Sequence, residues 1–196
     1  MLTYAAAVFL LIVTPGPGVL STAGMGSAYG FRPGLRYVVG LWIGTNLVGF
    51  AVISGLAAIV LSVPVIRLVL LTASVGYLTY LAARIAFAGS RIAFIQAKNP
   101  PGIMSGILLQ IINPKAYAVN TALYMGFAFH PDSFILEMVA KVLIMNVIWI
   151  PIHLAWLFAG AQLHRLNLGQ RAQSRINIGM ALSMMGVVIL AMLSSF

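Results

Sequence analysis

Residues 4–28 read YAAAVFLLIVTPGPGVLSTAGMGSA, an apolar run interrupted near its middle by Thr14-Pro15-Gly16-Pro17-Gly18. The run carries no Asp, Glu, Lys or Arg and exceeds the roughly 20 residues that cross a bilayer as a helix. Within a helix a proline withholds its N–H and clashes with the carbonyl four residues earlier, so the carbonyls of Leu11 and Val13 lose their helical donors. The sequence therefore predicts two half-helices. The first half leaves carbonyls that attract cations; the second starts with free N–H groups and the positive end of its dipole, a partner for a carboxylate.

Outward from this segment the chain stays apolar. Of 196 residues, 62% are hydrophobic and 7% charged, a balance outside the range of soluble domains. Tyr37 to Ile66 and Ile176 to Phe196 hold no charged residue. Gly, Pro and charge cluster near residues 30–36, 62–67, 84–102, 129–133 and 160–175. They separate six expected spans, at 4–28, 37–61, 66–87, 103–127, 134–159 and 176–195. The apolar N-terminus lacks a basic start and a small-residue cleavage site, so it is expected to be retained. No cysteine is present, which excludes disulfides, thiolate metal sites and cysteine nucleophiles.

The formal charge of +9 comes from residues scattered between apolar runs, not from a basic face that binds nucleic acid. It reads as topology. Odd-numbered loops carry Arg32, Arg36, Arg84, Arg91, Lys98, Arg165, Arg171 and Arg175; even-numbered loops carry Arg67. The positive-inside rule then places loops one, three and five in the cytoplasm and both chain ends outside. Loop three reads equally as a short helix on the anionic leaflet or as a solvated linker. The glycine pairs 26/30, 40/44 and 102/106 allow close helix packing, within the bundle or in a homodimer.

Asn113-Pro114-Lys115 repeats the interruption in the fourth span. Pro114 frees the carbonyl of Gln110, Asn113 adds an amide, and Lys115 brings a cation some 15 Å from either end of the helix, so a polar cavity or a buried partner is required. Spans one and four each begin a three-span half. An odd number of spans per half inverts the second, so the halves, 1–88 and 103–196 around a loop at 89–102, form one domain whose broken helices meet near the midplane. Pro151 is a further interruption, in span five.

These motifs in this order resemble the LysE/RhtB family of amino-acid exporters: Pro15-Gly16-Pro17, then Gly30-Phe31-Arg32-Pro33-Gly34, then Asn113-Pro114-Lys115. Gly40/Gly44, Gly55-Leu56 and Gly76-Tyr77-Leu78 extend the likeness over nearly the whole chain. The resemblance implies efflux of amino acids or their derivatives across the inner membrane, driven by the proton motive force. Two positions depart from it. Where relatives commonly carry a carboxylate after the second-span glycines, this chain has Thr45-Asn46, and where they often carry Asn after Pro-Gly-Pro it has Gly18.

The expected architecture is an all-α polytopic membrane protein holding its substrate between the two breaks. Pro15, Gly16, Pro17, Gly18, Asn46, Gln110, Asn113, Pro114 and Lys115 form the expected site. The substrate carboxylate meets Lys115 and the N–H groups after Pro17; its ammonium meets carbonyls of Leu11, Val13 and Gln110. With no carboxylate at mid-membrane, neutral or apolar amino acids are favoured over basic ones. The titratable candidates for coupling are His153, set against a plain interhelical histidine, and Glu137, set against a pair with Lys141 near the outer interface. The sequence calls for no cofactor and no metal and shows no hydrolase motif. Its rivals are an exporter of metal or organic cations and a non-transporting membrane subunit.

Overall fold

The computed structural model describes residues 1–14, 16–87, 100–130, 132–166 and 169–193. Among them are nine helices and no strand: α1 (Leu2–Val13), α2 (Pro17–Tyr29), α3 (Phe31–Ile53), α4 (Leu56–Ser62), α5 (Pro64–Ala86), α6 (Ile103–Ile112), α7 (Pro114–Gly126), α8 (Phe134–Arg165) and α9 (Gln170–Leu193). Loop three, with Arg91 and Lys98, lies outside the described residues, as does Pro15.

Both expected breaks are present. Helices α1 and α2 meet at 53°, and α6 stops at Ile112 where Asn113, in extended conformation, caps α7. Other boundaries differ from the sequence reading. Loop one shrinks to Gly30, whose φ of 81° lies in the left-handed region that glycine tolerates. Arg32 and Arg36 thus occupy the first turns of α3, where Pro33 costs little because the first N–H groups of a helix have no partner within it. The second expected span ends early, at Ile53; Gly55, with φ 77°, separates the short α4 from it. Pro151 does not break its helix, since α8 runs through it for 32 residues. Arg84, counted above as a loop residue, is buried in the last turn of α5. Its guanidinium donates to the Tyr80 hydroxyl at 2.7 Å, and its carbonyl accepts from the Tyr29 hydroxyl at 3.1 Å.

Helices α3, α5 and α8 are long and apolar enough to cross a membrane, and the bent α1–α2 pair adds a fourth such segment. Their outward faces carry large apolar side chains, including Phe50, Val65, Leu68, Val69, Leu143 and Val147. Exposed apolar surface on this scale matches a hydrocarbon solvent.

Two apolar clusters organise the interior. One joins Met25, Tyr37, Leu41, Leu81, Ile85, Leu109, Trp149 and Leu157; the other joins Tyr4, Val8, Val52, Leu123, Tyr124, Met138 and Met145. Bare backbone lets the first close. A Cβ at Gly160 would lie 2.1 Å from the Ala23 carbonyl oxygen, and one at Gly26 2.5 Å from that of Leu157. Between α3 and α6, a Cβ at Gly40 would lie 1.9 Å from the Ile103 carbonyl oxygen, and one at Gly106 2.3 Å from that of Tyr37. Of the glycines paired in the sequence reading, Gly26, Gly40, Gly44 and Gly106 thus serve packing inside the bundle, whereas Gly30 makes the turn between α2 and α3 and a Cβ at Gly102 would meet nothing within 4 Å.

Because nothing flexible can yield at Gly40, Gly40→Ala is expected to destabilise the detergent-solubilised protein by about 1–3 kcal/mol. Gly76→Ala, on α5 with nothing within 4 Å of the added Cβ, is expected to be neutral or stabilising by up to about 1 kcal/mol through helix propensity. Thermal melts followed by size-exclusion chromatography separate the two variants; equal stability would remove the α3–α6 contact as a constraint.

Candidate functional site

The two breaks face each other. Lys115, the second residue of α7, is half-buried and sends its ammonium across to the α1–α2 junction, donating to the Thr14 carbonyl at 3.1 Å. That carbonyl lies beyond the last helical residue of α1, so the break supplies the acceptor. Gly16 gives the lysine room: a Cβ there would lie 2.8 Å from Nζ and 3.0 Å from Cδ.

A chain of side-chain hydrogen bonds fixes the α6–α7 junction. Asn113 Oδ1 accepts from the Lys115 backbone N–H at 3.1 Å, the capping bond that starts α7. Its Nδ2 donates to Gln110 Oε1 at 3.1 Å, and Gln110 Nε2 donates to Thr45 Oγ1 on α3. The backbone carbonyl of Gln110, expected to be free, instead accepts from the Asn113 N–H at 3.3 Å. A tight i to i+3 turn has replaced the bond that Pro114 removed. At the first break, the carbonyl that meets the lysine is that of Thr14.

A cavity of about 60 Å³ lies at the junction, room for a few waters. The first break contributes Leu11, Ile12, Thr14, Gly16, Gly18 and Val19 to its wall. Thr45 enters from α3, and Gln110, Asn113, Lys115, Ala116, Val119 and Asn120 from α6 and α7. Met145, Trp149 and His153 close it from α8. The first turn of α2 therefore opens onto the cavity beside the lysine. A wider recess of about 930 Å³ between α4, α5 and α7 is lined mainly by apolar side chains, such as Leu61, Leu68 and Ile112.

Of the nine residues expected to form the site, Gly16, Gly18, Gln110, Asn113 and Lys115 line the cavity. Pro17 is buried behind it at the start of α2, Pro114 faces the wider recess, and Pro15 lies outside the described residues. Asn46 is placed elsewhere. Its amide pairs with Asn146 of α8, accepting from Nδ2 at 3.0 Å and donating to Oδ1 at 3.2 Å, which cross-links α3 to α8 away from the cavity. The neighbouring Thr45 takes the role assigned to it because Gly40, Leu41, Gly44, Thr45 and Val48 are buried together on α3; that spacing was legible from the glycines. Asn120 was also missed, although it lies one turn beyond Ala116 on the cavity face.

The two titratable candidates separate. His153 is 4% exposed and stacks on Trp149 with ring centroids 3.5 Å apart. Its Nδ1 meets the Trp149 carbonyl at 3.0 Å, so Nδ1 carries the proton in that bond and Nε2 remains on the cavity side, 3.6 Å from where a Gly18 Cβ would stand. Glu137 is not in the cavity. It pairs with Lys141 at 2.8 Å and accepts from the backbone N–H groups of Phe129 and His130 at 2.9 and 2.6 Å. The pair expected with Lys141 is thus present, and both partners are buried, Lys141 at 1% and Glu137 at 7% exposure. The lysine also donates to the Tyr124 carbonyl at 2.8 Å and lies within 6 Å of the Tyr4 and Phe129 rings.

An all-helical bundle with apolar outer faces and with amides and ammonium groups packed between its helices is a polytopic membrane protein. The chain belongs to the LysE-type translocator family, whose model matches residues 9–195. It is similar to a leucine efflux protein of Klebsiella pneumoniae subsp. pneumoniae, 25% identical over 64% of this chain and 62% of that protein. A leucine efflux protein of an Enterobacter species is 23% identical over the same shares. The match thus spans less than two thirds of either relative's length. No solved structure matches the chain.

The clamp around Glu137 predicts a coupled effect on stability. Lys141→Met or Glu137→Gln alone leaves a buried charged or polar partner behind and lowers the melting temperature by several degrees, while the double variant recovers part of the loss. Additive losses in a thermal double-mutant cycle would show that the pair does not act as a unit.

Proposed function

We propose that this protein is a secondary active exporter of neutral, apolar amino acids of the leucine type across the bacterial inner membrane. The observation that carries the reading is the Lys115 ammonium bonded to the Thr14 carbonyl, inside a polar cavity formed by two helix breaks. The substrate carboxylate displaces that carbonyl from Lys115 and takes the N–H groups at the start of α2; apolar walls from Leu11, Ile12, Val119 and Met145 receive the side chain. Membership of a translocator family and likeness to two leucine efflux proteins support the same reading. At about 60 Å³ the cavity is smaller than a free amino acid and must widen to admit one.

In this proposal the chain forms six spans in two inverted halves, with α1–α2 and α6–α7 as the broken helices, loops one, three and five in the cytoplasm and both ends outside. Export is driven by inward proton movement, with His153 as the carrier because its Nε2 faces the cavity, whereas Glu137 is held in an ion pair. The protein works as a single transmembrane domain without cofactor, and its glycine-rich faces leave a homodimer open to test.

Counterflow of radiolabelled leucine into liposomes tests the activity. Lys115→Met is expected to reduce exchange at least about a hundredfold, as loss of a charge-assisted contact to the substrate predicts, while the protein stays monodisperse. Full flux in that variant, or none in the wild type, would remove the reading; a non-transporting subunit gives the second result. His153→Gln is expected to retain counterflow but to lose concentrative efflux driven by a pH gradient, and unchanged gradient-driven efflux would exclude it as carrier. The absence of native cysteine makes topology direct to read. Single cysteines at Arg36 and Asp132 should be labelled by an impermeant thiol reagent from opposite sides of the membrane.

A further inference from the structure

Arg32 and Arg36 stand one turn apart at the start of α3, and both line a recess of about 470 Å³ whose far wall is Pro100, Pro101 and Gly102, just before α6. Both side chains are exposed, and neither is hydrogen-bonded or ion-paired to a described residue. Like charges at this spacing repel, and the chain places nothing to offset them. Its side-chain carboxylates are those of Asp132 and Glu137. Glu137 is held by Lys141, and both acids belong to the end of α8 that lies beside the start of α1, where the Lys141 carbonyl accepts from the Tyr4 hydroxyl. The other end of α8, at Gly160, packs on Ala23, shortly before α2 turns into α3. The arginine recess and the acids are therefore at opposite ends of the bundle, so an anion for the recess must come from outside the chain.

We propose that the recess is a headgroup site for an anionic phospholipid, whose phosphate is held between Arg32 and Arg36. Guanidinium groups present paired N–H donors that match phosphate oxygens, and a spacing of four residues sets the two about 6 Å apart along the helix axis, so one phosphate can face both. The recess is of the size of small-ligand clefts. The surface beside it selects a lipid over a free anion. Leu35 and Val39 continue the arginine side of α3 into the bundle's length at 37% and 38% exposure, and Ile103 of α6, whose carbonyl packs over Gly40, adds a neighbour at 40%. Charge at the mouth and apolar side chains below it match an anionic head joined to an acyl tail. A lipid seated there touches both α3 and α6 next to their closest contact, at Gly40 and Gly106, and does so whichever solute the protein moves.

Native mass spectrometry of the full chain in neutral detergent tests this, with phosphatidylglycerol and phosphatidylcholine of the same acyl chains as probes. Wild-type protein is expected to retain phosphatidylglycerol at least about tenfold more tightly, as two basic groups beside an anionic headgroup predict. In Arg32→Gln/Arg36→Gln the preference is expected to fall to about twofold or less. Arg171→Gln/Arg175→Gln removes the same charge at the same spacing from exposed positions of α9 and is expected to keep the preference. Equal loss in the two double variants would assign the effect to overall charge and overturn the proposal, as would wild-type protein that holds both lipids alike. Glycerol 3-phosphate is the third probe; retention as tight as that of phosphatidylglycerol would mark a site for soluble phosphates and overturn the lipid assignment. Should the glutamine double variant elute aggregated, the single variants Arg32→Gln and Arg36→Gln are each expected to lower the preference roughly threefold, and no change in either overturns the proposal.

Discussion

A single hydrogen bond, from the Lys115 ammonium to the Thr14 carbonyl, joins the two interruptions of the helical bundle. A half-buried lysine among apolar helices gains from a counter-group or a polar surround, and a carbonyl beyond the last turn of its helix gains from a donor. Each break satisfies the other. The geometry then propagates: Gly16 is small because the lysine passes over it, Asn113 caps α7 so that the lysine starts in register, and Gln110 ties that cap to Thr45.

The existence of these breaks was legible because proline acts locally; Pro17 and Pro114 begin helices wherever tertiary context puts them. Lys115 was legible for the same kind of reason, since a charge in an apolar run has few tolerable surroundings. What the sequence concealed depends on rotation and on long-range pairing. Asn46 and Thr45 are adjacent, yet the helical turn of roughly 100° per residue sends one to Asn146 and the other to the cavity. Pro151 reads as a break from local rules, but packing on both sides of α8 holds the helix together through it. Likewise the Gln110 carbonyl looked free because the rule concerns its fourth neighbour, while its third neighbour supplied the bond.

The second buried lysine shows how the same residue type can serve structure. Lys141 has Glu137 one turn earlier, the Tyr124 carbonyl and two aromatic rings around it, and Glu137 in turn ties down the backbone of Phe129 and His130. Every polar group in that cluster has a mate, and it closes the connection between α7 and α8 against the start of α1. Lys115, by contrast, has one carbonyl and open space beside it. Completeness of pairing, more than burial, separates an architectural ammonium from one left available to a ligand.

The glycine contacts between α2 and α8 and between α3 and α6 lie toward one end of the bundle, near Arg32, Arg36 and Arg165, whereas the Glu137–Lys141 cluster lies toward the other. Prying the helices apart therefore meets a different obstacle at each end. Where α2 meets α8 and α3 meets α6 the glycine surfaces meet as bare backbone whose own helical hydrogen bonds stay intact, so parting those two pairs forfeits mainly dispersion, while α2 keeps hydrogen bonds to α5 and α9 at the same end. At the opposite end separation must strip an ion pair of its mates in a medium with no water to replace them. The two contacts thus resist separation for different reasons, one through close fit and the other through charge.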